Sequence, residues 1–438
     1  MTASTSTTST GGAPSGLLPA PAHRRAGDFV FVSSLFPVTD SGELVRADSS
    51  NPYVGDSEMA AQTRRVLEQL EQVLGDAGSS LGQTLKTEVY LADAADFHEF
   101  KLVYKEFFPD SPPARTTIVV GDEHILPGCR LNLQAVALAG DAGVEREAII
   151  ADGIPNPLDA EHASHAVKAP PFLFPSAFPA TDFETGVPVG RNMPNFPNYG
   201  SDAEMQAEYI LENLSKVCEA AGTSIDQAVK SQFYETSLLN FHDVDGIWAK
   251  YMGLAPPRSS MACRGFLVPN ALFAPNLIYL IPDAEHQKTE TQKGIRWHPE
   301  VVRAVHFSPG ILAGDWLFTA GQVPMPDFGV YESIVRTPQG LPHYWSDIEV
   351  QTDFTMVLLR EQLEANGLGL ADIVDARVYL IDPRRDYRGF VRAWDRLFES
   401  VERRPSMSLI PSTQENGDTG IMFAGPLVEI DLISKKGD

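Results

Sequence analysis

Apolar and polar residues alternate along the chain with two different periods. In the segment 58–78 the apolar residues recur at helical spacing, which places Val66 and Leu70 on one stripe before Gly78, a common residue at a helix C-terminus. Other segments, such as "KTEVYLAD" at 86–93, are short and rich in β-branched and aromatic residues, which is typical of strands. Together the two patterns predict an α+β fold in which amphipathic helices cover one face of a β-sheet.

This pattern occurs three times. The helix at 58–78 has counterparts at 204–222 and 349–367, and each is followed by a strand with a tyrosine, a second helix, a proline-led strand and a last strand. Each copy also opens with a strand pair, so the unit reads β-β-α-β-α-β-β. The sequence predicts a disordered tail at 1–19 and three repeats at 20–140, 148–284 and 296–436. Two polar joints are predicted at 141–150 and 284–297.

Composition limits the partners and the compartment. The 438 residues include 58 acidic and 34 basic ones, and the net charge of −24 disfavours nucleic acid and anionic membranes as partners. Three cysteines do not make a disulfide framework, and no apolar run is long enough for a transmembrane helix. The N-terminus lacks the apolar core of a secretory signal. We therefore expect a cytoplasmic protein that binds neither nucleic acid nor membrane.

The stretch "SPPARTTIVV" at 111–120 contains the first candidate for binding chemistry. Arg115 follows two prolines and heads a run of β-branched residues, where a guanidinium is costly unless an anion meets it. The second repeat has Arg258 at the equivalent place in "PPRSSM", whereas Met407 stands there in the third. The anion is either a ligand or a neighbouring acid.

Three segments of the first repeat, "GDFVFVSSLFP" (27–37), "YLADAADFHEFKLVYKEFF" (90–108) and "PPARTT" (112–117), resemble the Rid family, also called YjgF-type or reactive-intermediate deaminases. The resemblance extends over about residues 20–436. It implies a chorismate-mutase-like sheet with two helices on one face. Members of that family form homotrimers with ligand clefts at the subunit junctions, so the resemblance implies a single-chain pseudo-trimer, which leaves room for further association.

The resemblance also implies an activity and site residues. Family members hydrolyse reactive enamines and imines, such as 2-aminoacrylate, without a cofactor. The arginine binds the substrate carboxylate, an acid on the last strand handles water, and a serine of the first strand pair lines the other wall. The implied positions are Arg115, Arg258 and Met407 for the arginine, Ser33, Pro175 and Ala320 for the serine, and Gln134, Asn276 and Asp431 for the acid. No repeat holds the whole set, so we expect either a composite cleft or a diverged chemistry.

Each of these positions has an alternative interpretation. The arginines either anchor a carboxylate or form ion pairs that hold the repeats together. Glu429 and Asp431 share one face of the last strand, where they either share a proton and act in catalysis or belong to a solvated edge strand. Aromatic, proline-rich insertions at 189–202 and 331–347 are either cleft walls or ordinary loops.

Three functions remain. The first is a hydrolase of enamines or imines of a small anionic metabolite, in which Arg115 meets the carboxylate in a cleft whose other wall belongs to a different repeat. The second is a ring-opening amide hydrolase, whose three repeats each carry a serine–lysine pair; Lys86 and Lys230 recur, but Asp375 stands third and no matched serines follow. The third is a non-catalytic binding or scaffold protein. No nucleotide, flavin or zinc motif occurs, so we expect no cofactor.

Overall fold

The computed structural model describes residues 16–47, 55–188, 200–291, 305–325, 346–412, 420–421 and 425–437. These residues form three mixed β-sheets, each with two long helices, which confirms the α+β prediction. Residues 1–15 of the predicted tail and most of the two predicted insertions lie outside the described residues. Leu18, which the sequence assigned to the tail, is buried.

The first repeat has the predicted element order. Its elements are β1 (His23–Ala26), β2 (Phe29–Leu35), α1 (Glu58–Asp76), β3 (Thr84–Leu91), α2 (Phe97–Phe107), β4 (Ala114–Val119) and β5 (Leu131–Leu138). The strand order in the sheet is β1-β2-β5-β3-β4, with β3 and β4 parallel and the other neighbours antiparallel. The Ser57 hydroxyl caps α1 by accepting from the Ala60 N–H, and the helix is followed by Gly78, whose φ of +71° suits glycine.

The other two repeats have the same order with one additional edge strand each, and the second also has one short additional helix. The second contains β6 (Glu147–Ile149), α3 (Leu158–Glu161), β7 (Ala166–Ala169), β8 (Phe172–Pro175), α4 (Asp202–Ala221), β9 (Ala228–Glu235), α5 (Phe241–Tyr251), β10 (Arg258–Ala262) and β11 (Phe273–Leu280). The third contains β12 (Lys288–Thr291), β13 (Gly310–Ala313), β14 (Trp316–Thr319), α6 (Asp347–Ala365), β15 (Ile373–Leu380), α7 (Pro383–Leu397), β16 (Ser406–Pro411) and β17 (Val428–Lys435). β6 and β12 lie in the segments predicted as joints, where they pair with β7 and β13 and satisfy the edges of the sheets.

One face of each sheet packs against its own helices. Val66 and Leu70, on the predicted stripe of α1, are fully buried in a cluster with residues of β2, β3 and β5. Within the described residues, no helix is both long enough and apolar enough to cross a bilayer.

The other faces of the three sheets meet around a pseudo-threefold axis. Phe29, Phe172 and Trp316, one from each sheet, lie with their ring centroids 5.4 to 5.8 Å apart. They belong to one apolar cluster that draws buried residues from all three sheets. Because each sheet has helices on one face alone, its bare face is buried by the other two sheets. The chain is therefore a single-chain pseudo-trimer, as predicted.

Candidate active site

Each repeat contacts the next through the strand that carries the arginine position. At junction 1/2 the Ala177 N–H donates to the Arg115 carbonyl at 3.2 Å, and at junction 2/3 the Gly321 N–H donates to the Arg258 carbonyl at 3.2 Å. At junction 3/1 the Met407 N–H donates to the Ser33 hydroxyl at 3.0 Å. The repeats therefore follow one another in cyclic order, and each arginine position faces the opening strands of the next repeat.

Arg115 at junction 1/2 is buried and fully bonded. Its Nη2 donates to the Glu161 carboxylate at 2.7 Å and to the carbonyl of the same residue at 2.5 Å. Its Nη1 donates to the His162 carbonyl at 3.4 Å and its Nε to the Thr117 hydroxyl at 3.0 Å. Of the two roles that the sequence left open for Arg115, the structure contains the ion pair, and a substrate carboxylate would have to displace Glu161.

The segment around Glu161 closes this junction. Glu161 ends the short helix α3, and the following His162 has a left-handed backbone with φ of 51°. The His162 Nε2 lies 2.7 Å from the Phe108 carbonyl, and the Ser164 hydroxyl donates to the Pro112 carbonyl at 2.6 Å, so the segment is fixed to the first repeat. Burial raises the pKa of Glu161, while Arg115 opposes the shift.

Arg258 at junction 2/3 is equally buried but has an unsatisfied donor. Its Nη1 donates to the Asp245 carboxylate at 2.7 Å, whereas its buried Nη2 has no hydrogen-bond partner among the described residues. The guanidinium lies 4.4 to 5.0 Å from the ring centroids of Phe233, Phe241 and Phe307. Burial lowers the pKa of Arg258, and Asp245 opposes the shift. An unsatisfied buried donor is costly, and an anionic ligand would satisfy it.

Asp245 also bonds a histidine of the third repeat. Its second carboxylate oxygen lies 2.7 Å from the His306 Nδ1, and the His306 N–H lies 3.3 Å from both oxygens. Asp245 is 4% exposed, whereas the His306 side chain is 51% exposed. One carboxylate therefore connects the buried guanidinium with an imidazole that is open to solvent.

The acid pair of β17 belongs to the same junction. The Asp431 carboxylate lies 2.6 Å from the Lys230 Nζ and accepts from the Ser259 hydroxyl at 2.7 Å and from the Tyr379 hydroxyl at 3.0 Å. The strand is internal, between β14 and β15, and Asp431 is fully buried, so the solvated edge strand is wrong. Ser259 and Arg258 are consecutive strand residues and point to opposite faces, so the acid pair and the guanidinium lie on opposite sides of β10.

Glu429 is the member of the acid pair whose pKa is raised. Burial and the neighbouring Asp431 raise the pKa of Glu429 to about 8, with Lys230 and Ser259 opposing. Its carboxyl lies against Gly321, where an added Cβ would come within 1.8 Å of the Glu429 Oε1. The prediction of one raised pKa in the pair agrees with this geometry.

The predicted wall residues lie at the other junctions. The Ser33 hydroxyl donates to the Pro21 carbonyl at 2.6 Å, and the Gln134 amide oxygen accepts from Ser34 at 2.7 Å. Asn276 accepts from the Thr116 hydroxyl at 3.0 Å. The first two contacts lie within the first repeat, whereas the third joins strands of the first and second repeats.

One sequence correspondence needs correction. The counterpart of Ser33 in the second repeat is Ser176 and not Pro175, because the Ser176 hydroxyl accepts from the Arg115 N–H at 2.8 Å just as Ser33 accepts from Met407. At junction 3/1 itself, Met407 packs in an apolar cluster that includes Leu18.

A cluster of buried charges surrounds the pseudo-threefold axis. Glu88 and Arg377 form a bidentate pair; burial alone would raise the pKa of Glu88, but Arg377 and Lys86 outweigh it and lower it to about 2. Burial lowers the pKa of Lys86 to about 7 and raises the pKa of Asp375 to about 6. The cavity they line has a volume of about 20 Å³, which suits a water molecule.

Sequence reasoning missed Glu161, Asp245 and His306. A signal existed for the last two. Asp245 stands in α5 where α2 has Lys101, an inversion of charge between aligned helices. His306 precedes the opening strand of the third repeat as His162 precedes that of the second.

Comparisons with known proteins agree with the architecture. The sequence model of the Endoribonuclease L-PSP family matches residues 21–139, 188–273 and 299–434. The 3-aminoacrylate deaminase RutC of Acinetobacter baylyi is 34% identical over 126 residues, which are 29% of this chain and 91% of that protein. A RutC family protein of Pyrococcus abyssi is 36% identical over 97 residues, which are 22% of this chain and 68% of that protein.

Solved structures similar to the chain include a single-unit protein and a chorismatase. The YjgF gene product of E. coli is 26% identical with a TM-score of 0.25, covering 30% of this chain and 94% of its own. A chorismatase is 13% identical with a TM-score of 0.46, covering 80% of this chain and 93% of its own. The family relationship supports a deaminase-type activity at the level of the family. The family model matches three segments that together span most of this chain, so the chain carries three tandem copies of the family unit. The chain therefore belongs to the Endoribonuclease L-PSP family, which is the Rid or YjgF family expected from its sequence.

Proposed function

We propose that the chain is a cofactor-independent hydrolase of the deaminase type, which converts a small carboxylate-bearing enamine or imine into the oxo acid and ammonia at junction 2/3. The observation that carries the proposal is the buried Nη2 of Arg258, which has no hydrogen-bond partner among the described residues. A substrate carboxylate bound there gains a charge-assisted hydrogen bond that the free protein lacks.

Two features of the surroundings support this junction over the others. The nitrogens of Arg115 are all bonded within the protein, and Met407 offers no donor at junction 3/1. The acid pair of the third repeat also reaches this junction, through the hydrogen bond between Ser259 and Asp431, but it lies on the opposite side of β10 from the guanidinium.

The test compares the two arginines with one conservative change. The probe is 2-iminopropanoate, formed in situ by oxidation of alanine, with semicarbazide competing for the imine. We expect Arg258→Lys to raise KM about 10-fold or more, because a lysine ammonium lacks the rigid fork with which the guanidinium bonds Asp245 through Nη1 and offers Nη2 to the substrate. Arg115→Lys should leave KM unchanged and lower the melting temperature. If the wild-type protein, with both arginines, does not accelerate hydrolysis of the imine, the chain is a binding or scaffold protein instead.

A further inference from the structure

We infer that His306, held by Asp245, is the proton-transfer residue of junction 2/3. This inference rests on the proposed function. It concerns a residue of the third repeat acting beside the anchor of the second, and so explains why the cleft needs both repeats.

The geometry defines the state of the imidazole. The His306 Nδ1 lies 2.7 Å from the Asp245 carboxylate, which accepts a hydrogen bond from the Nδ1–H and fixes the ring. The neutral imidazole then carries its free lone pair on Nε2, and within the described part of the chain Nε2 makes no hydrogen bond. Because the side chain is half-exposed, Nε2 has access to water. A carboxylate that fixes one ring nitrogen and leaves the other free is the arrangement that a general base requires.

The same carboxylate places the base beside the anchor. Asp245 bonds the Arg258 Nη1 with one oxygen and the His306 Nδ1 with the other. The guanidinium and the imidazole thus lie on the same side of β10, whereas Glu429 and Asp431 lie on the opposite side, with Ser259. His306, which lies on the same side of β10 as Arg258, is therefore an alternative to the acid pair as the group that activates water.

The proposed step is balanced without a co-reactant other than water. The His306 Nε2 takes a proton from water as the oxygen bonds to the carbon of the protonated imine, and the C=N electron pair moves to nitrogen. The imidazolium returns that proton to the amine nitrogen of the carbinolamine. The C–N bond then breaks, the hydroxyl proton passes to Nε2 as the oxo acid forms, and ammonia takes it up and leaves as ammonium. Asp245 is a positioning residue throughout.

The experiment uses His306→Ala in the full chain, with the same imine probe and with imidazole added to the solution. We expect kcat to fall about 100-fold, KM to stay near the wild-type value, and the acidic limb of the pH–rate profile to disappear. Added imidazole should restore part of the rate, because the vacated position is open to solvent. A structural role for His306 would not produce that rescue.

The matched control is His286→Ala. His286 also pairs with an aspartate, its Nδ1 lying 3.0 Å from both Asp283 oxygens, but this pair lies in the joint between the second and third repeats. The control should keep the wild-type kcat and pH profile. A His306→Ala protein with wild-type kcat and profile overturns the inference, as does a loss of rate that imidazole does not restore in a variant with the wild-type melting temperature. In both cases the proposed function stands if Arg258→Lys still raises KM, whereas a wild type without imine hydrolysis refutes both.

Discussion

Junctions 1/2 and 2/3 each have an arginine on equivalent strands, but the hydrogen-bond donors of the two arginines have different partners. Arg115, the second residue of β4, lies against three aromatic rings and pairs with Glu161, an acid of the next repeat. Arg258 lies against three rings as well, but its acid, Asp245, comes from the helix of its own repeat. In the third repeat Val305 occupies the position that corresponds to Glu161.

The source of the acid differs together with the number of arginine donors that are bonded within the protein. At junction 1/2 the next repeat supplies the acid, and the backbone carbonyls of Glu161 and His162 accept hydrogen bonds from the arginine as well. When the arginine's own helix supplies it, one donor remains and the next repeat is left to contribute a solvent-exposed histidine. After triplication, a single relocated carboxylate therefore separates a closed interface from a candidate site.

The largest expected loss of stability follows from removing the Arg115–Glu161 ion pair at junction 1/2. Glu161→Ala leaves the buried Arg115 without its counter-charge, which should lower the free energy of unfolding by about 3–5 kcal/mol. Chemical denaturation of the variant measures the loss, and turnover of the imine should not change.

Glu147→Ala is the control for this loss in the same repeat. Glu147 pairs with Lys168 at 3.8 Å and its side chain is 63% exposed, so its removal should cost no more than about 1 kcal/mol. Equal losses for the two variants would mean that Glu161 does not close the junction through the ion pair.

The second expected effect is a pH dependence of stability that arises from Glu429 at junction 2/3. The folded-state pKa of Glu429, about 8, lies above that of an unfolded glutamate, so its stabilising contribution is complete at low pH and is lost as the pH rises from about 5 to 8. Glu429→Gln should remove this loss, which amounts to at most about 1.4 kcal/mol per pH unit. Denaturation at several pH values compares the two slopes.

Other titrating groups are common to both proteins in that comparison. Asp375 and Lys86 titrate in or near the same range, but they are unchanged in the variant and cancel when the slopes are subtracted. Glu290→Gln, at an exposed position of the third sheet, should leave the slope as in the wild type. Identical slopes for wild type and Glu429→Gln would mean that Glu429 is ionised in the folded protein.

The fold followed from the sequence because its causes are local. Helical and strand periods act over a few residues, and a period that recurs three times is hard to obtain by chance, so the element order, the pseudo-trimer and the shared face of Glu429 and Asp431 were all predictable. The two added edge strands were missed because β6 and β12 are short and polar and form only on an existing sheet edge.

The site was less predictable because its contacts are distant in sequence. Arg115 meets Glu161 only after the opening segment of the second repeat folds onto the first, and the equivalent positions alone could not tell an ion pair from a ligand anchor. Asp245 and His306 come from different repeats and form a pair only at the assembled junction. Their residue types were visible in the sequence, but their proximity was not.

The smallest expected effect comes from substitutions that give junction 2/3 the small residues found at junction 1/2. At junction 1/2 the equivalents of Gly321 and Glu429 are Ala177 and Ala274, a pair in which the small strand residue leaves space for a Cβ. Gly321→Ala should cost about 1–3 kcal/mol, because the added methyl meets the Glu429 carboxyl and the Ser259 hydroxyl in a packed interior.

The double variant Gly321→Ala with Glu429→Ala reproduces the alanine pair of junction 1/2 and should relieve that clash. A double-mutant cycle on the free energy of unfolding should therefore give a favourable coupling of about 1–2 kcal/mol between the two substitutions. Additive losses would mean that the carboxyl moves away from the new methyl at no cost. In that case the glycine at junction 2/3 is not explained by the buried acid, and the two junctions differ less than their contacts suggest.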